Sequence, residues 1–250
     1  MFDFLSHPII FAHRGASAYA PENTLASFEL ALFQGADAIE LDAKFSADGR
    51  IVVIHDPTVD RTTNGHGRVA QLTLTELRSL DAGIFLSEKY RGEKIPLLEE
   101  VFEAVGKRMF INVELTNYAA PRDQLVENVC ALVKKHGLEK RIIFSSFLAS
   151  NLKHARRLLP EVPRGLLALD GWLGSWSRSF GFTFGDYVAL HPYLTDVTKR
   201  QILRVHRLKR RINVWTVNKV DDILRLSNWG VDGFFTDDPQ LALRTLGRSS

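Results

Sequence analysis

Two residues apart on a short apolar run, Glu40 and Asp42 open the stretch IELDAKFSADGRIVVIHD (residues 39–56), and His55 and Asp56 close it. Side chains alternate along a strand, so Glu40, Asp42 and Lys44 share one face while Ile39, Leu41 and Ala43 share the other. In MFINVELT (109–116), Asn112, Glu114 and Thr116 face one way, and Ile111, Val113 and Leu115 the other. Glu40, Asp42 and Glu114 can therefore converge inside the mouth of a barrel. Three carboxylates in an apolar interior repel one another and lose their water, so something must compensate. A hard divalent cation with oxygen ligands, Mg²⁺ or Ca²⁺, is the natural compensation. Pairing with Lys or Arg at solvated strand ends is the competing arrangement, and the residue pattern alone leaves both open.

Two histidines extend this constellation. His13 ends the run IIFAH and is followed by Arg14 and Gly15. Asp48-Gly49 is a two-residue hairpin signal. Pairing residue 47 with 50 sets 42 opposite 55, so His55 is expected beside Asp42. A lone histidine at a strand end is ordinarily structural. Two of them converging on a carboxylate triad suit general acid–base chemistry near neutral pH. The Arg14 guanidinium offers a fork that matches a phosphate.

The elements that must position these groups alternate. Apolar, β-rich runs lie at 9–13, 38–45, 51–56, 109–116, 141–146, 165–169, 187–191, 213–218 and 233–237, and helical patterns at 23–35, 124–137, 151–160 and 220–230 separate several of them. Gly35, Gly137 and Gly230 stand where helices should stop. Alternation of this kind predicts a parallel sheet with right-handed crossovers. Nine strands are one too many for a (β/α)8 barrel. A parallel crossover needs a dozen or more residues, and only SADGR separates the second and third runs. The third run is thus an antiparallel excursion, and eight parallel strands remain. The fold expected is an α/β TIM barrel. Residues 1–250 form a single catalytic domain, and the 57–108 stretch, with a short helix at TLTELRSL, is an insertion after the second barrel strand and over the catalytic face.

Composition narrows the function classes. The 250-residue chain is 45% hydrophobic and 24% charged, ordinary for a soluble globular protein. Its net charge of +3 is too small to argue for nucleic acid. Cys130 is the single cysteine, so no intramolecular disulfide forms, which fits a reducing compartment. MFDFLSHPII lacks the basic and apolar regions of a secretory leader, and no apolar run approaches the ~18 residues of a membrane span. A cytoplasmic protein without stable membrane insertion is expected.

Seven motifs, in order, resemble one family. HRGASAYAPENT, ELDAKFSADGRIVVIHD, DRTTNGHG, IPLLEEVFEAV, NVELT, VWTVN and GVDGFFTDDP are similar to those of the glycerophosphodiester phosphodiesterases, over about residues 9 to 240. The resemblance implies a TIM barrel with an insertion after the second strand. It also implies one divalent cation and hydrolysis of small-molecule glycerophosphodiesters to glycerol 3-phosphate and an alcohol. Position by position, Glu40, Asp42 and Glu114 match the family's metal ligands, and His13 and His55 its acid–base pair. Arg14 matches its phosphate contact and Trp215 an aromatic that lines the site. Many members carry a lysine two residues after the third ligand. Thr116 stands there instead; Lys44, on the face of Asp42, is the candidate substitute, the alternative being that it projects beyond the barrel mouth. His13 is taken as the base and His55, near Asp42 or Asp56, as the acid, the reverse assignment being the alternative. Two other readings keep the barrel: a phospholipase D-like enzyme acting on lysophospholipids or sphingolipids, and a non-catalytic phosphate-binding module. A binder has no use for an acid–base pair.

Several features lie outside this constellation. KRQILRVHRLKRR (199–211) carries seven Lys or Arg residues, but Ile202, Val205 and Leu208 recur at helical spacing, which predicts a barrel helix with a solvated outer face. Trp172, Trp176, Phe180, Phe182 and Phe184 lie in a segment read as a loop (171–187). They are expected to pack on the neighbouring helix, the alternative being a hydrophobic lip for an alcohol or acyl group. His191, Asn218 and Asp237 lie at strand ends near the predicted site. Cys130 is expected to be a small core residue.

Overall fold

The computed structural model describes residues 8–248, and each apolar run read from the sequence overlaps a strand, though the 213–218 run does so only at its first two residues because β8 ends at Val214. The no-leader reading of residues 1–10 falls mostly outside the described residues. The strands are β1 (Ile9–Ala12), β2 (Ala38–Phe45), β3 (Ile51–Val53), β4 (Phe110–Leu115), β5 (Ile142–Ser146), β6 (Arg164–Ala168), β7 (Ala189–Pro192), β8 (Arg211–Val214) and β9 (Gly233–Thr236). Their order is β1-β9-β8-β7-β6-β5-β4-β2-β3, with β1 also paired to β2. The eight strands other than β3 pair in parallel and close a TIM barrel. β3 lies outside the ring, antiparallel to β2.

The outer layer holds α1 (Leu25–Phe33), α3 (Leu98–Val105), α4 (Leu125–Lys135), α5 (Ala149–Leu158), α7 (Lys199–Arg207), α8 (Val220–Trp229) and α9 (Pro239–Thr245); α2 (Leu74–Ser79) and α6 (Phe182–Phe184) are short. Ile39, Leu41 and Ala43 of β2 and Ile111, Val113 and Leu115 of β4 face outward. They join Phe28 of α1, Phe102 of α3 and Val129 of α4 in one extensive apolar cluster. Each large side chain buried there contributes roughly 1.5–3 kcal/mol. Because the sheet–helix interface supplies most of this burial, the barrel interior can afford polar groups. That interior is layered. Ile9, Phe11, Ala38, Phe110 and Ile143 fill its lower part with Phe235, and Glu40, Asp42, Asn112, Glu114 and Ser145 lie one or two strand positions further on, at the carboxyl ends.

The hairpin register differs from the sequence expectation. Ala43, Lys44 and Phe45 pair with Val53, Val52 and Ile51, which sets residue 42 opposite 54, and the Ile54 amide donates to the Asp42 carbonyl at 3.0 Å. The loop has three residues, not two. Ser46 closes it against Arg50, and Gly49 takes a left-handed φ of +74°, the conformation a type I turn followed by a bulge requires. β3 ends at Val53, so His55 does not reach the site by pairing across the hairpin. It arrives after the strand has ended and the chain has turned.

Within 57–108, Val59, Val69, Leu77, Ala82 and Ile95 form a separate small cluster with Val52 and Ile54. Leu98, Val101, Phe102 and Val105 of α3 belong to the main barrel core instead. The segment with its own core is therefore shorter than 57–108, because α3 fills a barrel-helix position. Ile202 and Val205 of α7 are buried as the spacing predicts, whereas Leu208 is exposed because the helix has ended before it. Cys130 is buried. Among the described residues no helix is long and apolar enough to cross a membrane.

Candidate active site

The chain leaves β1 through a tight turn. Arg14 and Gly15 both take left-handed conformations, φ +58° and +86°, and a Cβ on Gly15 would fall 2.3 Å from Ser27 Oγ. Only glycine fits there. The turn aims the Arg14 backbone N–H at Glu40, donating to Oε2 at 3.0 Å. Asn23, just before the Thr24 cap of α1, is also left-handed at φ +58°, which Asn tolerates better than most residues. Its Nδ2 donates to Asp42 Oδ2 at 2.9 Å. β2 and β4 are in register, Glu40 with Asn112 and Asp42 with Glu114. Adjacent strands thus set the three carboxylates together, and one oxygen from each of Glu40, Asp42 and Glu114 lies within 4.8 Å of the others.

Their electrostatics are strained by burial. Burial pushes Glu40 well above the ordinary carboxyl range, and the Asp42 and Glu114 charges push the same way, against Arg14. Burial and the Asp42 charge raise Glu114 from 4.5 to about 8, despite the hydrogen bond from Tyr118 Oη at 2.7 Å. Burial acts on Asp42 too, but Arg14, His55, Lys44 and the Asn23 hydrogen bond outweigh it and hold it below its usual value. Asn112 Oδ1, in the same layer, is buried without a hydrogen-bond partner. Three converging carboxylates, two of them unable to ionise readily by themselves, and a spare amide oxygen form a hard-oxygen donor set that fits a divalent cation.

The two histidines are each tied to a carboxylate. His13 Nδ1 lies 2.6 Å from Asp237 Oδ1. Asp237 also accepts from Ser17 Oγ at 3.2 Å and Asn218 Nδ2 at 2.5 Å; against the effect of burial, His13 first and then Asn218 and Ser17 hold it below its ordinary value. His55 Nδ1 lies 2.7 Å from Asp56 Oδ1. The Arg61 hydrogen bond, more than any other influence, lowers Asp56 to about 2. Arg61 in turn clamps Glu22 at 2.6 and 2.8 Å, and Glu22 accepts from Arg14 Nη1 at 2.9 Å. This chain of opposite charges ties the loop after β1 to the segment after β3. An imidazole whose Nδ1 hydrogen is given to a carboxylate keeps Nε2 for proton exchange.

A cleft of about 140 Å³ is lined by His13, Arg14, Glu40, Asp42, His55, Glu114 and Trp215, along with Asn112, Ser145, Phe147, Leu167 and Phe235. A wider depression beside it shares His13 and Arg14. Trp215 is fixed by an Nε1 hydrogen bond to the His191 carbonyl at 2.8 Å and by edge contacts with Phe147 and Tyr193. Lys44 is outside the cleft lining, its Nζ 2.7 Å from Thr116 Oγ1. Burial lowers its pKa, against the attraction of Asp42 and Glu114. The cation thus occupies the neighbourhood of Thr116 from the adjacent strand. His191 is fully buried below the cleft, on the Phe235 ring, and burial lowers it to about 3. Glu22, Asn23, Arg61 and Tyr118 were not singled out by residue pattern. Glu22 and Asn23 precede a helix cap, a position with a local structural explanation; Arg61 acts through Glu22, far off in the sequence, and Tyr118 turns back onto Glu114 after β4 has ended.

The glycerophosphoryl diester phosphodiesterase family profile matches residues 13–241. A glycerophosphodiester phosphodiesterase of Caldanaerobacter subterraneus subsp. tengcongensis is 39% identical over 93% of this chain and 95% of its own length. One from Bacillus subtilis is 34% identical over 92% of this chain and 83% of its own. Among solved structures, an Oleispira antarctica phosphodiesterase in complex with the product sn-glycerol-3-phosphate superposes with TM-score 0.89 at 32% identity, covering 98% of each chain. A glycerophosphodiester phosphodiesterase from Agrobacterium tumefaciens gives 0.80 at 31% identity, over 94% of this chain and 98% of that one. With the profile spanning nearly all of the barrel and relatives above 30% identity over most of both chains, the chain belongs to the glycerophosphoryl diester phosphodiesterase family.

Proposed function

We propose that the protein hydrolyses glycerophosphodiesters to glycerol 3-phosphate and an alcohol, with one divalent cation, Mg²⁺ or Ca²⁺, held by Glu40, Asp42 and Glu114. The observation that carries this reading is the meeting of three mutually close carboxylates and two carboxylate-tethered histidines in one cleft at the carboxyl end of the barrel. The product found in the Oleispira antarctica relative supports the substrate class. The cation, when bound, offsets charge on the phosphoryl oxygens.

His13, oriented by Asp237, takes a proton from the nucleophile through Nε2. That nucleophile is water or the glycerol hydroxyl next to the phosphate. As the new P–O bond forms, the bond to the departing alcohol breaks, and His55, oriented by Asp56, protonates the leaving oxygen. Where the glycerol hydroxyl attacks, the product is a cyclic phosphate, which a water deprotonated at His55 opens in a second displacement while His13 returns the proton to the glycerol oxygen. Arg14, in the cleft lining, brings positive charge to the phosphate; Lys44, outside the lining and bonded to Thr116, adds to it by swinging its long side chain toward the cleft, and Trp215 walls the side of the cleft against which the glycerol carbons lie. In this reading one barrel domain carries the whole reaction, and the stretch after β3 closes over its catalytic face. The test is direct. Purified protein supplied with a divalent cation is offered glycerophosphocholine, glycerophosphoethanolamine and a lysophospholipid, and both glycerol 3-phosphate and the released head-group alcohol are assayed. Release from the two glycerophosphodiesters supports the proposal; turnover of the lysophospholipid alone, or of nothing, defeats it.

A further inference from the structure

The segment between β6 and β7 is a helical run, not the loop expected over 171–187. A 3-10 turn (Gly171–Gly174), a π turn (Ser177–Gly181) and α6 follow one another along the outside of the barrel. Trp172, Trp176, Phe180 and Phe184 are four residues apart, so they share one face. That face is bare: their exposures are 82%, 60%, 66% and 82%, and Leu173 adds 58%. Phe182 is the aromatic that packs inward, 2% exposed. Phe180 and Phe184 stack on each other at 6.1 Å instead of on a neighbouring helix. None of the four exposed aromatics lines the catalytic cleft, so the ridge is not a lip for the substrate.

The flanks of the ridge are basic. On one side lies α7, joined to it by Arg204 Nη2 donating to Thr183 Oγ1 at 2.8 Å and by Arg210 donating to the Phe182 carbonyl. Residues 197–212 contain no Asp or Glu, and Lys199, Arg200, Arg204, Arg207 and Lys209 are exposed. On the other side lies α5, joined through the Arg156–Asp186 pair at 2.7 Å. Residues 147–160 also lack Asp and Glu, and Lys153, Arg156 and Arg157 are exposed. Of the acids bordering the ridge, Asp186 is paired with Arg156 and Arg164 and Asp196 with Arg178, while Asp170, at the very start of the run, is exposed and is the negative charge set against the basic flanks.

An apolar stripe this continuous on a soluble protein marks a docking surface. Its flanks select the occupant. A second copy meeting it about a two-fold axis would set basic helices against basic helices. Aromatic rings that enter the headgroup layer, bordered by long cationic side chains that reach phosphates, are the chemistry of an interfacial surface for anionic lipid. We propose that this ridge docks the protein on an anionic membrane surface. Because the run leaves the carboxyl end of β6, docking would hold the catalytic end of the barrel close to the headgroups.

The experiment is flotation of the full chain with vesicles of phosphatidylcholine alone and of phosphatidylcholine mixed equally with phosphatidylglycerol. The protein should float with the mixed vesicles about tenfold more strongly than with the neutral ones. A Trp176→Ser/Phe180→Ser/Phe184→Ser variant should lose that partition, with its thermal midpoint kept as the check on folding. Lys199→Glu or Arg207→Glu should weaken binding roughly fivefold, and the two together roughly 25-fold. Equal partition to both vesicle types, no flotation with either, or unchanged binding by the serine variant overturns the proposal. Dimerisation that depends on the ridge, with no vesicle binding, overturns it too.

Discussion

Withdrawing the divalent cation should make the protein less stable as pH rises. Glu114 is held up to about 8 from an ordinary 4.5 by burial and by the charge of Asp42. Between those values the folded state binds more protons than the unfolded one, so unfolding free energy falls with increasing pH. Glu40 is raised in the same sense. His191, lowered from 6.5 to about 3, acts in the opposite direction but only below its unfolded value, which leaves the range from about 6.5 to 8 to the carboxylates. At ~1.4 kcal/mol per pH unit, that range corresponds to about 2 kcal/mol from Glu114. For a chain of this size the loss is roughly 4–8 °C in the thermal midpoint. A cation bound by the ionised carboxylates restores that stability, and restores more of it at the upper end. Thermal unfolding of chelated protein across this range, with and without added Mg²⁺ or Ca²⁺, measures the effect. Glu114→Gln should flatten the metal-free slope. A midpoint that stays level or rises with pH in chelator, or a Glu114→Gln slope equal to the parent's, would refute the reasoning.

Further outcomes follow from the same geometry. His13→Ala and His55→Ala should each lower turnover by about 10²–10⁴-fold while leaving the affinity for the cation close to the parent's by calorimetry; full activity in both would remove the acid–base assignment. Lys44→Met should cost roughly ten- to a hundredfold in kcat/KM, the range of a lost charge-assisted hydrogen bond to phosphate. Adding Thr116→Lys to it should recover part of the loss, and kinetics with glycerophosphocholine decide whether either expectation holds. Because the buried His191 is lowered to about 3, its neutral form supports the fold less as pH drops through the range from 6.5 toward 3. His191→Gln should therefore lose less stability than the parent on acidification, read from urea unfolding at matched pH values.

The barrel was legible because its two periods were clean. Alternation along AIELDAKF and MFINVELT separates Ile39, Leu41, Ile111 and Val113, which enter the helical layer, from Glu40, Asp42 and Glu114, which meet inside. The hairpin signal removed β3 from the parallel count, but its register was off by one residue. The Asp48-Gly49 pair is equally at home in a three-residue loop, and the choice rests on how Ser46 closes against Arg50. His55 reaches the cleft by leaving its strand, a path no periodicity encodes. The bridge from Arg61 to Glu22 spans 39 residues of sequence, so nothing local announces it. The occupation of the Thr116 neighbourhood by Lys44 depends on the swing of a long side chain from the next strand. The 171–187 segment reads as a loop, while the four-residue spacing of Trp172, Trp176, Phe180 and Phe184 carries the helical signal that the structure follows.

The account turns on the three carboxylates acting as a cation site on which hydrolysis depends. The most direct measurement is glycerol 3-phosphate release from glycerophosphocholine by chelator-treated protein, to which Mg²⁺ or Ca²⁺ is added back, with Glu40→Gln, Asp42→Asn and Glu114→Gln assayed beside the parent. The account predicts no release without the cation, recovery on its return, and weakened cation binding together with lost activity in each variant. Undiminished release in chelator, or variants that bind the cation and turn over as the parent does, would contradict it.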